Sequence, residues 1–370
     1  MKVVFACART GGHINPAIAL AKHIVKNDKN SEILFIGTKD GLENNLVKNA
    51  GFSIKHVRTG KLRRSLSPKN ISEMYNAFLG ISDAKKILKE FKPDFVFGTG
   101  GYICFPVIQA AKSLKIPYFL HESNAFPGIS VKLLAKKATK VFVGFEDAKK
   151  RLKNKDNIVV SGTPIKFSKA DYEKLDRNSC MNEFNVDVNK KVIVVTGGSQ
   201  GALKFSNTIL EYLKKYRDEN RVFVVITGDK NYESVLEEKK KVEKELNISL
   251  DKYLIIERFV YDMEKLYKAA DICITRSGAM TITELMVLEK PAILVPYPYA
   301  TENHQLYNAE VLKKEGTAEI IEEKDLNIDI LKENIDKIIN NYSNYRSNNN
   351  NKENNVENII YNNITKSINK

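Results

Sequence analysis

Short apolar runs alternate with longer stretches in which apolar residues recur every three or four positions, and this rhythm appears twice along the 370 residues. In the first half, Val3–Cys7, Glu32–Ile36, Phe95–Gly98, Pro117–His121 and Lys140–Val143 predict strands. Between them, Pro16–Asn27 (apolar at Ile18, Leu20, Ala21, Ile24 and Val25), Leu42–Ala50 and Pro106–Leu114 predict helices. The second series runs through strand Lys191–Thr196, helix Phe205–Tyr216, strand Val222–Thr227, strand Tyr253–Glu257 and a helix near Met263–Ala269. It continues with strand Ile272–Thr275, helix Thr281–Leu288 and strand Ala292–Val295. Alternation of this kind implies parallel sheets covered by helices, which bind ligands beyond the carboxyl ends of their strands.

Between the two series the polar stretch Gly162–Asn189 breaks the rhythm, which puts a linker at about residues 160–170. The chain therefore divides into domains 1–163 and 164–340 and a tail, 341–370. From residue 340 on, 13 of 31 positions are Asn, a composition that usually signals disorder. Yet Val356, Ile359, Ile360, Ile364 and Ile368 keep helical spacing, so 340–353 reads as a loose link and 354–368 as a docked helix. Residues 60–82 also stand out. Lys61, Arg63, Arg64 and Lys69 precede an apolar pattern at Ile71, Met74, Tyr75, Phe78, Leu79 and Ile81. A basic flank beside an apolar face suits a membrane surface, and an ordinary core helix after a solvated loop is the alternative.

Charge sharpens the division. Residues 1–163 carry 28 Lys and Arg against 12 Asp and Glu, whereas 164–370 carry 31 against 33. A basic half beside a neutral one points to an anionic partner, either nucleic acid or an anionic membrane leaflet. No run reaches the roughly 18–20 apolar residues of a membrane span, and Val3–Ala8 reads as a first strand, not as a signal peptide. Cys7, Cys104, Cys180 and Cys273 are scattered without metal-ligand spacing, which fits a reducing compartment.

Four glycine-rich segments sit where strands hand over to helices: Thr10-Gly11-Gly12-His13, Gly98-Thr99-Gly100-Gly101-Tyr102, Thr196-Gly197-Gly198-Ser199-Gln200-Gly201 and Arg276-Ser277-Gly278-Ala279. Glycine permits positive φ and close backbone approach, and a helix N-terminus just beyond suits phosphate. His13, at a helix start, would stay neutral and basic, able to take a proton from a hydroxyl. Glu122, at the end of another strand, is the rival base or a base's orienting partner. Each has a plainer alternative, a turn-capping histidine and a loop-fixing carboxylate. Ser199 and Gln200 suit a diphosphate. No Asp-x-Asp pair occurs, so the leaving-group charge would fall to helix N-termini, Ser199, Lys166 or Arg276, and neither metal nor cofactor is expected.

These segments, with His121-Glu122-Ser123-Asn124, Glu284, and Asn303-His304-Gln305 with Asn308, resemble in their order the MurG family, the transferases that add N-acetylglucosamine to lipid I in peptidoglycan synthesis. The resemblance covers about residues 3–315. It implies an α/β GT-B fold: two Rossmann-like domains whose parallel sheets face a cleft, with the donor held mainly by the second. It implies UDP-N-acetylglucosamine and lipid I as substrates, inverting chemistry, no nucleic-acid partner, and peripheral association with the cytoplasmic face of the inner membrane. It assigns His13 or Glu122 to the chemistry and Thr10, Tyr102 and Asn124 to the acceptor. Donor contacts are implied for Thr10, Gly11, Gly12, Asn124, Lys166, Ser199, Gln200, Val260, Arg276, Glu284, His304 and Gln305, with Glu284 on the ribose, Gln305 on sugar hydroxyls and Val260 on uracil.

One segment departs from the family pattern. The family has Gly-Asn-Pro, an apolar residue and Arg at the interdomain strand end, and here Gly162-Thr163-Pro164-Ile165-Lys166 keeps the charge without the guanidinium fork. Rival readings are a glycolipid glycosyltransferase, a UDP-N-acetylglucosamine 2-epimerase and a non-catalytic UDP-sugar-binding module. A dinucleotide dehydrogenase is weaker, because GxGxxG and the acidic ribose anchor are missing.

Overall fold

The computed structural model describes residues 1–60, 69–153, 155–198, 201–346 and 355–368, with side chains of the helix that opens at Lys69 described from Glu73 on. It divides into two units, Met1–Lys166 with Asn355–Lys370, and Phe167–Asn354.

The first unit is built on a seven-stranded parallel sheet. Its strands are β1 (Lys2–Ala6), β2 (Glu32–Gly37), β3 (Ser53–His56), β4 (Phe95–Gly98), β5 (Tyr118–Glu122), β6 (Lys140–Val143) and β7 (Ile158–Val160). They lie in the order β3-β2-β1-β4-β5-β6-β7. In β1 the register pairs Val3 with Ile33 on one side and Phe95 on the other, and Ala6 with Gly98. Both faces of the central strands are covered, so they read as continuous apolar runs.

Strict alternation still sorts the side chains. Val4, Ala6, Val96, Leu120 and Val141 pack with Ala84, Leu88, Val107 and Ile108 from helices Lys69–Phe91 and Cys104–Ser113. The opposite face carries a row of aromatics, with ring centroids 5.2 Å apart for Phe5–Phe35, 5.6 Å for Phe5–Phe97 and 6.0 Å for Phe97–Phe142. Helix Gly11–Asn27 covers that row with Ile14, Leu20 and Ile24. The rest of the cover comes from the far end of the chain: helix Val356–Ile368 adds fully buried Ile360 and Ile364 and nearly buried Val356.

The second unit holds a six-stranded parallel sheet of β8 (Lys191–Thr196), β9 (Arg221–Ile226), β10 (Leu254–Glu257), β11 (Ile272–Thr275), β12 (Ala292–Leu294) and β13 (Ala318–Ile320), ordered β10-β9-β8-β11-β12-β13. Each sheet runs outward in both directions from its first strand. Each therefore has a topological switch point, between β1 and β4 and between β8 and β11, where ligands bind in such sheets.

Several elements differ from the sequence pattern. The first helix begins at Gly11, so its opening turn includes the glycines and His13. Helices Tyr232–Leu246 and Ile328–Asn340 and strands β3, β7 and β13 were not predicted. Within 60–82, Met74, Tyr75 and Phe78 are exposed and Ile81 packs against the core, while Lys61, Arg63 and Arg64 lie outside the described residues.

Ile360→Ala should lower stability by about 2–5 kcal/mol, the range for truncating a buried aliphatic side chain, read as a lower urea midpoint at unchanged slope. A loss below about 0.5 kcal/mol would mean that the terminal helix contributes nothing to this core.

Candidate functional site

At the first switch point two glycine turns interlock. Helix Gly11–Asn27 starts directly after β1, and His13 lies in its first turn. The turn after β4 wraps around this ring. A Cβ on Gly100 would lie 2.6 Å from His13 Nδ1 and Cε1, and Gly100 has φ +112. Only glycine satisfies both demands. The turn is fixed from below by Cys104, whose thiol is buried. Its Sγ accepts from Gly100 N at 3.2 Å and shares its proton between the carbonyls of Gly100 (3.1 Å) and Ala6 (3.3 Å). Burial pushes this thiol up to about 12, so it remains a donor. Thr99 Oγ1 donates to His13 O at 2.7 Å. Thr10 lies in the loop after β1 and Tyr102 in the turn after β4.

On the neighbouring strand β5, Glu122 is buried. Its Oε1 accepts from Asn124 N (2.9 Å) and Asn124 Nδ2 (3.0 Å), and its Oε2 accepts from Gly128 N (2.7 Å). Both oxygens hold the loop after β5, so the geometry is that of a loop anchor. His121 is fully buried. Its Nε2 donates to Gly162 O at 3.0 Å, and Nδ1 then accepts from Ser123 Oγ at 3.3 Å. Burial, with a smaller contribution from nearby His13, lowers His121 to about 4. The neutral ring ties β5 to the turn at Gly162, on which Val356 of the terminal helix also packs.

Sequence reasoning missed a third carboxylate. Glu43 is fully buried and accepts from Arg9 N (2.9 Å), Thr38 N (2.8 Å) and Thr38 Oγ1 (2.7 Å). Burial alone would raise its carboxyl, but these bonds outweigh it and hold it below the usual value. Its neighbour Gly41 was the available signal: a Cβ there would lie 2.0 Å from Glu43 Oε2.

In the second unit, Thr196 Oγ1 accepts from Gly198 N at 3.2 Å, and Gly201 has φ +70 with its Cα against Thr227, so a Cβ would meet that carbonyl. Ser199 and Gln200 lie outside the described residues. Arg276 is engaged: it pairs with Glu323, donates to the carbonyls of Val295 (3.2 Å) and Pro296 (3.4 Å) and lies over the rings of Phe205 and Tyr297. Gln305 Oε1 accepts from Tyr297 N at 2.9 Å, which leaves its amide nitrogen to donate. His304 Nδ1 donates to Thr301 O at 2.8 Å. Buried Asn308 donates to Ser277 O at 3.1 Å and joins helix His304–Lys314 to the turn after β11. Glu284 is half-buried and accepts from Tyr267 OH at 3.2 Å. Val260 lies between exposed Phe259 and Tyr261 beyond β10, and Lys166 is exposed at the end of the first unit.

The structure thus gathers Thr10, Gly11, Gly12, His13, Tyr102, Glu122 and Asn124 at the carboxyl ends of β1, β4 and β5, which are adjacent. It gathers Arg276, Glu284, His304 and Gln305 at the ends of β11 and β12. Among the described residues no group of three or more His, Cys, Asp or Glu could hold a metal ion.

Relatives carry the same chain nearly end to end. A UDP-N-acetylglucosamine--N-acetylmuramyl-(pentapeptide) pyrophosphoryl-undecaprenol N-acetylglucosamine transferase from Thermoanaerobacter sp. (strain X514) is 43% identical over 341 residues, 92% of each chain. The chain belongs to the MurG family. The enzyme of the same name from Caldanaerobacter subterraneus subsp. tengcongensis is 41% identical over 92% of this chain and 91% of its own. The glycosyltransferase family 28 N-terminal domain matches residues 3–143 and the family 28 C-terminal domain residues 192–362. The crystal structure of Acinetobacter baumannii MurG superimposes with a TM-score of 0.75 over 99% of both chains, at 24% identity. UDP-GlcNAc 2-epimerase from Neisseria meningitidis bound to UDP-GlcNAc gives 0.68 at 19% identity, over 99% of this chain and 100% of its own. At these identities the likeness is one of fold.

His121 gives a MurG-family chain of this sequence a defined acid sensitivity. Its folded value of about 4 lies below the 6.5 of an unhindered imidazole. The unfolded chain therefore takes up a proton between these values while the folded one does not. Stability should be full above about pH 6.5 and fall by up to about 3 kcal/mol toward pH 4. His121→Gln, which can still donate to Gly162 O, should flatten that limb in urea titrations at several pH values. An unchanged limb would assign the sensitivity to other groups.

Proposed function

We propose that this chain transfers N-acetylglucosamine from UDP-N-acetylglucosamine to the 4-hydroxyl of the N-acetylmuramyl sugar of lipid I, with inversion and without a metal. Membership of the MurG family supports the reaction. The observation that carries the chemical assignment is the imidazole of His13 seated in the space left by Gly100, at the switch point of the first sheet. His13 removes the proton of the attacking hydroxyl, a step that contributes about 10²–10⁴-fold when a base is well placed. Glu122 keeps the Asn124–Gly128 loop in place, so that Asn124, Thr10 and Tyr102 meet the acceptor.

The donor belongs to the second unit. The glycine turn after β8, with Ser199 and Gln200, takes the diphosphate. Glu284 accepts from the ribose hydroxyls, and the backbone near Val260 meets uracil. The Gln305 amide, with its oxygen committed to Tyr297 N, donates to hydroxyls of the donor sugar. Arg276 organises this end of the sheet through Glu323 and the carbonyls after β12, and His304 fixes the loop through Thr301. As UDP departs, its charge is met by peptide N–H groups at helix starts. The absence of an Asp-x-Asp pair from the sequence supports a metal-independent step.

Among the described residues no helix is long and apolar enough to cross a membrane. Peripheral binding at the cytoplasmic face of the inner membrane is supported by the basic first half and by Met74, Tyr75 and Phe78, exposed on one helix.

His13→Ala should reduce turnover about 10²–10⁴-fold while UDP binding, measured by calorimetry, is retained. Full activity in that variant would remove His13 from the chemistry.

A further inference from the structure

Arg9 stands in a conformation that its side chain disfavours. Its φ is +79, in the left-handed region. That conformation costs a non-glycine residue roughly 1–2 kcal/mol. The backbone is kept there by a buried group, since Glu43 Oε2 accepts from Arg9 N at 2.9 Å. Glu43 itself fits only because glycines at 37 and 41 leave it room. The strain lies four residues before His13, on the same turn. Strained backbone of this kind, held by its surroundings, concentrates at binding and catalytic sites.

The side chain is exposed, with its guanidinium carbon 5.2 Å from the centroid of the Tyr102 ring. Tyr102 follows the Gly98–Gly101 turn that receives His13, so the Arg9–Tyr102 pair flanks the proposed base. A cavity of about 480 Å³ opens here, lined in part by Arg9, Lys39, Asp40, Thr59, Glu73 and Tyr102. Two carboxylates line the cavity, yet among the described residues none forms an ion pair with the Arg9 guanidinium. The aromatic face orients the fork and leaves its N–H groups to a ligand.

We propose that Arg9 binds an anionic oxygen group of the acceptor, a phosphate or a peptide carboxylate, and so orients the acceptor sugar toward His13. The assignment rests on the transferase reading of this site. An arginine fork suits either group, because both present paired anionic oxygens.

Arg9→Gly separates the side chain from the fold. Glycine accepts φ +79 without strain, so the melting temperature should hold or rise. The KM for a lipid I analogue should rise about 10- to 100-fold, the loss expected of a hydrogen bond to a charged group, with the KM for UDP-N-acetylglucosamine unchanged. Arg9→Lys should recover part of the loss. An acceptor KM within twofold of wild type in Arg9→Gly would overturn the proposal. Two further acceptors identify the group, one with its peptide carboxylates amidated and one with a neutral linker in place of the diphosphate. The penalty of Arg9→Gly should vanish on whichever lacks the bound anion, and a penalty undiminished on both would also overturn it. If the wild-type protein bound the analogue without glycosylating it, the transferase reading would fall. The Arg9 assignment would then be decided by the binding affinities of the same variants.

Discussion

An imidazole and an absent side chain share one space at the centre of the first unit. His13 fills the volume that any Cβ at position 100 would need, and the turn that makes this volume holds φ +112. The rest of the site follows from keeping those two loops together. The thiol of Cys104 grips Gly100 through both its amide and its carbonyl, and Thr99 closes on the His13 carbonyl. None of these contacts needs a charged group. The parallel pairing of β1 with β4, in which Ala6 lies beside Gly98, brings the two turns out of the sheet side by side.

Buried carboxylates do structural work around this centre. Glu43 and Glu122 each spend both oxygens on hydrogen-bond donors of loops that leave the sheet's carboxyl edge. A carboxylate whose oxygens are so engaged is poorly placed to accept a proton from a substrate. This distinction favours His13 over Glu122 as the base, a choice that residue types alone left open. In the second unit Arg276 is comparably occupied, with Glu323 and two carbonyls, while Gln305 keeps its donor end available.

The sequence announced what depends on local pattern. Central strands such as Val3–Ala6 and Phe95–Gly98 are apolar throughout because both faces are covered, and the glycine turns mark where they end. Short edge strands escaped: β3 and β7 have mixed burial, so Ser53–His56 and Ile158–Val160 carry no clean signal. Helix Tyr232–Leu246 buries Val235 and Val242 within a Lys- and Glu-rich stretch, too narrow a stripe to stand out. The terminal helix was legible from Ile360 and Ile364 at helical spacing despite its Asn-rich setting. At the site, positions were legible but engagement was not. The amide of Gly128 that binds Glu122, and the carbonyls after β12 that bind Arg276, are brought in by the fold and have no side-chain signature. Glu43 was invisible for the same reason, since its partner Arg9 N lies on a different strand's loop.

The central claim is acceptor-dependent transfer from a UDP-sugar by a MurG-family chain, against fold relatives that include an epimerase. The most direct measurement incubates the purified protein with UDP-N-acetylglucosamine labelled in the sugar, with and without a soluble lipid I analogue, in EDTA, and follows UDP and sugar together. The account predicts UDP release and a labelled disaccharide in equal amounts, only when the analogue is present. UDP release without an acceptor, or binding of the donor with no turnover in its presence, would contradict it.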